Sequence, residues 1–237
     1  MTFLEIKTNI KANLGNSAFY SVTDITDSVQ DAYDEIVTLS QCIVKKIVIS
    51  FQNNLNYYNF QDQTNFPAIY VADFIAATAL FNNNTKQWLL DNKTLRDFDL
   101  DREDWENWIA QPLYWAPTND YKRIAIVPKF NIAVGNFDLY YWAAPPTVVD
   151  SETPLLPPDY QNLIELYSTA DLLEQAEEFS KAAVYWEEFY GIKDGNQFFD
   201  RGIYALARRS KDLAKSDLLR LVKKHDSAIF RRNNRTL

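Results

Sequence analysis

The stretch from Leu139 to Tyr190 constrains the fold of this 237-residue chain more than any other. Leu139-Tyr140-Tyr141-Trp142-Ala143 is aromatic and aliphatic throughout, as a strand with a buried face is. Pro145-Pro146 ends it, because proline gives no N–H to a ladder. Val149 to Pro158 is a proline-punctuated acidic connector. Beyond it Leu163, Leu166, Tyr167, Ala170, Leu173, Ala176, Ala183 and Trp186 recur at helical spacing, which predicts one long helix over 159–190. Gly191 and Gly195 break the pattern, and a second helix is expected over 198–224.

The first 20 residues show little order signal, and Asn13 to Ser17 suggests a turn. A helix is expected from near Thr23-Asp24, with Thr23 or Thr26 as cap, to Cys42–Lys46. Its stripe is Val29, Ala32, Tyr33, Ile36, Leu39 and Ile43. From Ile47-Val48-Ile49-Ser50-Phe51 the texture becomes β-branched and aromatic. An Asn- and Gln-rich segment over 52–65 predicts a long loop or ragged edge strand. Strands are expected over 68–76 and 86–90, with a turn at Asn82-Asn83-Asn84. Arg123 to Pro128 and Phe137 to Trp142 are expected to pair with each other. A lone N-terminal helix cannot bury its stripe, so it should pack on the two C-terminal helices. The expected fold is α+β: an antiparallel helical bundle with an inserted small antiparallel β-sandwich or barrel. The segments are 1–46, the first helical part; 47–145, the β domain; 146–226, the C-terminal helices; and 227–237, a basic tail.

Charge divides the chain unevenly. Its net −8 conceals a local +8 from Arg201 to Leu237 and −16 over the rest. An acidic body repels DNA, while a basic tail suits either an acidic protein surface or phosphate. Aromatic residues make up 15% of the chain, which favours surfaces buried on assembly. Gly is scarce, with 5 in the chain, which argues against a phosphate-cradling loop. One Cys and one His, Cys42 and His225, leave no metal cluster. Cys42 is expected as a buried thiol on the first helix. The first residues lack a signal-peptide pattern, and no apolar run reaches membrane-span length. A reducing, cytoplasmic place of synthesis follows.

The sharpest acidic cluster, Asp97 to Asp104, fails as a calcium loop. Arg102 stands where Gly is required and Trp108 where Glu is required. Asp101 is expected instead to cap a short helix through Trp105 and Trp108. A sugar-stacking platform of Trp88, Trp105, Trp108, Tyr114, Trp115 and Trp142 would serve a carbohydrate-binding or glycoside-cleaving module, the alternative function. It would need these rings along one groove beside two close carboxylates. No nucleophile motif supports other enzymatic chemistry.

Five local patterns resemble the head-to-tail adaptor proteins of tailed bacteriophages, a family that includes the tail tubular proteins. They are the helix from Asp24 to Cys42; Phe66-Pro67 before Ile69-Tyr70-Val71; Trp105 followed by Gln111-Pro112-Leu113-Tyr114-Trp115; Arg123 to Pro128 before Leu139-Tyr140-Tyr141; and Leu156-Pro157-Pro158-Asp159-Tyr160 with its helix. Gln111 stands where the family often has Gly. The resemblance, from about Thr23 to about Tyr190, implies a structural virion protein without catalysis, cofactor or metal. It implies a ring of about twelve copies that docks on the portal, meets other neck or tail proteins and surrounds the DNA channel used in genome ejection. DNA would pass without sequence-specific contact, and no membrane is involved. The protein would be made in the bacterial cytoplasm and reside in the virion neck. Ile229, Phe230, Arg231, Arg232 and Arg235 are the expected portal-binding residues. Trp105, Trp108, Trp115, Tyr167 and Trp186 are the candidate subunit-interface residues.

Overall fold

Thr2 starts the first helix, α1 (Phe3–Asn13), through a capping box in which the Thr2 hydroxyl and the Glu5 carboxylate satisfy each other's backbone N–H. The computed structural model describes residues 1–52, 55–60, 71–91, 93–118, 123–130, 135–193, 196–197 and 201–210. The chain divides into two units. One is formed by Met1–Ile43 with Ala144–Asp217, and the other is built on Val44–Ala143.

The first unit is helical. α1 overturns the expectation that the first 20 residues lack order: Phe3, Ile6 and Ile10 lie on one stripe and are buried. The proline-rich connector holds the helix start. Phe3 N–H donates to the Glu152 carbonyl at 2.9 Å and Leu4 N–H to the Asp150 carbonyl at 3.1 Å, while Lys7 pairs with Asp150 at 2.7 Å. These contacts satisfy donors that a helix cannot satisfy itself.

Helix α2 (Val22–Ser40) is capped by Ser21, not Thr23 or Thr26. Gln41 in the left-handed region ends it, so Cys42 lies past the helix and is half-buried. Its buried stripe includes Val29, Ala32, Tyr33 and Ile36. The Tyr33 hydroxyl accepts the Leu155 N–H at 2.8 Å, and burial pushes its pKa up to about 12. Two polar stitches join α2 to α4 (Asn162–Gln175): Ser28 donates to Asp171 at 2.9 Å, and Ser168 donates to the Ser28 carbonyl at 3.1 Å.

The single long helix expected over 159–190 is two helices. α4 ends at Gln175, and α5 runs Phe179–Tyr190. Between them Glu177 sits at φ 62°. A sixth helix occupies 202–210 of the described residues; of its expected span 198–224, residues 198–200 and 211–224 lie outside them.

Among the described residues, the second unit carries two antiparallel sheets. β1 (Val44–Ser50), β7 (Asn136–Ala143), β3 (Phe74–Asn82) and β4 (Gln87–Trp88) form one in that order. β2 (Tyr57–Asn59), β6 (Arg123–Val127) and β5 (Tyr114–Pro117) form the other. The expected pairing of Arg123–Pro128 with Phe137–Trp142 is therefore wrong: β6 pairs with β2 and β5, and β7 with β1 and β3. Sequence proximity suggested a hairpin, but the burial of Phe137, Leu139 and Tyr141 is shared with flanking strands from elsewhere in the chain. Tyr58 meets Phe137 edge-on at 5.2 Å between the two sheets.

Asp138 is the one acidic residue of β7, and its side chain is nearly covered. Burial alone would raise its pKa, but hydrogen bonds from Lys46 (2.9 Å) and Asn83 (2.6 Å) outweigh burial and hold it below the usual carboxylate range. Its ionised form is thus favoured in the folded state. The resulting stabilisation is present above the unfolded carboxylate value of about 4 and is lost as pH falls through the lower folded value. Urea unfolding of the protein and of Asp138→Asn between pH 6 and pH 2 should show a steeper loss of stability in the parent. Parallel curves would refute it.

Candidate assembly surface

The expected cap role of Asp101 is overturned. Thr94 caps helix α3 (Leu95–Asp101) through a capping box with Asp97, and Asp101 is the last residue of that helix. Hydrogen bonds from Thr94 hold the Asp97 carboxyl below its usual range. A single 3₁₀ turn, Trp105–Asn107, follows.

That turn drives Trp105 inward. Its ring lies in a core with Phe98, Ala116, Ala125 and Val127, against which Tyr57, Trp108 and Tyr114 pack. Its indole N–H donates to Asp99 at 2.7 Å. Trp105 and Trp115 are each 3% exposed, so neither offers a free face to a sugar or a partner. Trp108 is half-buried under the Arg102 guanidinium, 4.9 Å from its ring centroid, and Arg102 in turn holds Asp104 at 2.7 Å. Tyr57 donates to Glu106 at 2.7 Å, and burial together with that carboxylate raises its pKa. Trp88 packs on Phe81 and Tyr140 at 5.1 and 5.5 Å.

The other two candidate interface residues lie together in the helical unit. Tyr167 of α4 meets Trp186 of α5 edge-on at 5.0 Å and Phe189 at 5.4 Å. Trp186 stacks on Tyr190 at 6.0 Å, and Tyr190 meets Tyr204 at 6.1 Å. The rings form a ladder with one buried rung, Phe189, and one outer rung, Tyr204, which is 51% exposed. Carboxylates rim it. The Trp186 indole N–H donates to Glu174 at 2.8 Å. Burial raises the Tyr167 pKa first, then Asp171, Glu35 and Asp31 add to it; the Tyr190 pKa is raised by burial, Tyr204, Glu35 and Glu174.

An open groove of about 610 Å³ lies in the same unit, lined by Leu14, Phe19 and Tyr20 on one side and Leu173, Val184 and Tyr185 on the other. Phe19 and Val184 are 70% and 62% exposed. The sequence pattern missed Phe19, because no periodic element contains it.

Cys42 is half-buried, and burial pushes its thiol pKa up, so it is a poor nucleophile. Among the described residues, no group of three or more His, Cys, Asp and Glu side chains is placed to hold a metal ion. No described helix is long and apolar enough to cross a membrane. His225 and the five tail residues Ile229, Phe230, Arg231, Arg232 and Arg235 lie outside the described residues, as do Phe66-Pro67 and Ile69-Tyr70.

The family model described as SU10 adaptor protein matches residues 1–214. That span takes in α1 as well as the patterns from Asp24 to Tyr190, and it leaves residues 215–237 outside. No curated protein matches the chain.

Proposed function

The chain belongs to the SU10 adaptor protein family, a phage head-to-tail adaptor family, and from that premise we propose that its copies form a ring joining the capsid to the tail. It is a structural phage adaptor and a virion component, associated with other phage head and tail proteins. The ring docks on the portal, holds about twelve copies and surrounds the channel through which DNA leaves. The helical unit is the bundle of this adaptor, and the β-rich unit is a small sandwich inserted between its helices. The segments 1–46, 47–145, 146–226 and 227–237 act as the first helical part, the β domain, the C-terminal helices and the docking tail. Tyr167 and Trp186, with Trp108 as a lesser contributor, meet the neighbouring copy. The protein is not an enzyme in this reading.

The observation that carries the reading is the family match over residues 1–214. The half-exposed aromatic ladder supports it, because such rings gain most when a partner desolvates them. Charge supports it too: an acidic body lets DNA slide past a ring without binding.

The test is native mass spectrometry of the protein alone and mixed with portal rings of its own phage. A complex holding a closed set of adaptor copies per portal ring is expected. Adaptor that stays monomeric beside an intact portal ring would overturn the reading.

A further inference from the structure

No Gly or Pro occurs from Gln161 to Tyr190, yet the helix breaks after Gln175. The break residues Ala176, Glu177 and Glu178 all favour helix. Glu177 nevertheless sits at φ 62°, where Gly is the usual occupant. The turn closes in Schellman form: Glu178 N–H donates to the Leu173 carbonyl at 2.8 Å and Glu177 N–H to the Glu174 carbonyl at 2.9 Å. Local preference thus favours a straight helix, and tertiary packing imposes the bend.

That packing is the contact of α5 with α4. It fully buries Ala182 and Phe189 and joins Tyr167 to Trp186. A subunit that straightened alone would expose them. A second copy's α4 is chemically identical and would bury them again. We infer that, in the assembled ring, α5 is exchanged: the helix 162–190 runs straight through Glu177, and each copy's α5 packs on the α4 of the next copy.

Exchange keeps every α4–α5 contact and relieves the left-handed Glu177, so its cost is low. A three-residue hinge under strain is the kind that invites it. The straight helix of 29 residues would reach about 43 Å, long enough to cross between subunits. The helix at 202–210 moves with α5. A Cβ on Gly202 would stand 2.5 Å from the Phe189 carbonyl and the Gly191 nitrogen, so the two helices meet at backbone contact. Head-to-tail exchange closes when the rotation per copy closes a ring. The inference rests on the ring reading above, and its test separates the two.

The experiment mixes two single-cysteine variants in a Cys42→Ser background, Glu174→Cys and Trp186→Cys, assembles them on portal rings, and treats them with a short bismaleimide. A 174–186 cross-link between chains is expected in the assembly and not in the free protein. Inserting Gly-Gly after Ala176 should let α5 fold back and reduce the cross-link at least tenfold. A ring of the expected mass without the interchain cross-link, or with one that survives the insertion undiminished, overturns exchange and leaves the ring reading standing. Absence of any ring from the unaltered protein overturns both. Hydrogen exchange on the unaltered protein covers the case that Trp186→Cys fails to fold. The Phe179 and Ser180 amides, at the start of α5, should gain at least tenfold protection on assembly because a straight helix supplies them with the Gln175 and Ala176 carbonyls. Unchanged protection in an intact ring counts against exchange.

Discussion

Trp105→Ala should destabilise the β-rich unit by about 3–5 kcal/mol, the cost of emptying a buried tryptophan site. The ring is 3% exposed, packs at 5.6 Å on Phe98 and 6.1 Å on Tyr57, and anchors its N–H on Asp99. Ala116 of β5 and Ala125 of β6, which share its core, are too small to fill the volume it leaves. Trp186→Ala should behave differently. Its ring is half-buried and loses roughly half as much burial, so the free subunit should lose about 1–2 kcal/mol. Assembly on the portal should weaken about tenfold or more beyond that loss, as truncation of an interface tryptophan does. Urea unfolding gives the first quantity for each variant and sedimentation of portal complexes the second. The interface assignment of Trp186 fails if its variant assembles as well as a surface control of equal stability.

Deleting Ser227 to Leu237 should reduce portal binding by about 100-fold or more in moderate salt, because a ring of tails binds with avidity that a single tail lacks. Arg231, Arg232 and Arg235 can each form charge-assisted hydrogen bonds to carboxylates, and Ile229 and Phe230 add apolar anchors. Ordering the segment opposes these gains with a cost of similar size. One tail therefore holds weakly, and the effect depends on several engaging the same portal ring. The segment lies beyond the 1–214 family match, so its loss should leave the helical and β-rich units folded. Pull-down on immobilised portal rings measures the change, with DNA binding as the parallel readout. Undiminished portal binding refutes the docking role. Loss of DNA binding alone transfers the tail to phosphate contact.

Family membership was legible in the sequence because order along the chain is what a family pattern records. The strand–proline–helix succession from Leu139 onward survived into the structure as β7, the connector and α4. The stripe of α2 was legible for the same reason: Val29, Ala32, Tyr33 and Ile36 repeat at helical period and are buried. α1 was legible and was missed. Thr2 and Glu5 stand at capping-box spacing, and Phe3, Ile6 and Ile10 mark one face.

The candidate interface shows where local pattern stops being informative. Trp105, Trp108, Trp115, Tyr167 and Trp186 are equivalent by residue type. Only the structure separates Trp105 and Trp115, sealed in the β-rich unit, from Tyr167 and Trp186, which keep part of their rings open.

The amino-acid sequence by itself determined the α2 stripe, the strand–connector–helix order from Leu139, the charge division and the family, since each depends on residues close in sequence or on their order. The tertiary structure alone decided that β6 and β7 belong to different sheets and that the helix bends at Glu177. Both outcomes run against local preference: adjacent strands favour a hairpin, and Ala-Glu-Glu favours helix. They stand because burying Phe137, Leu139 and Phe189 against distant partners outweighs roughly a kilocalorie of local propensity.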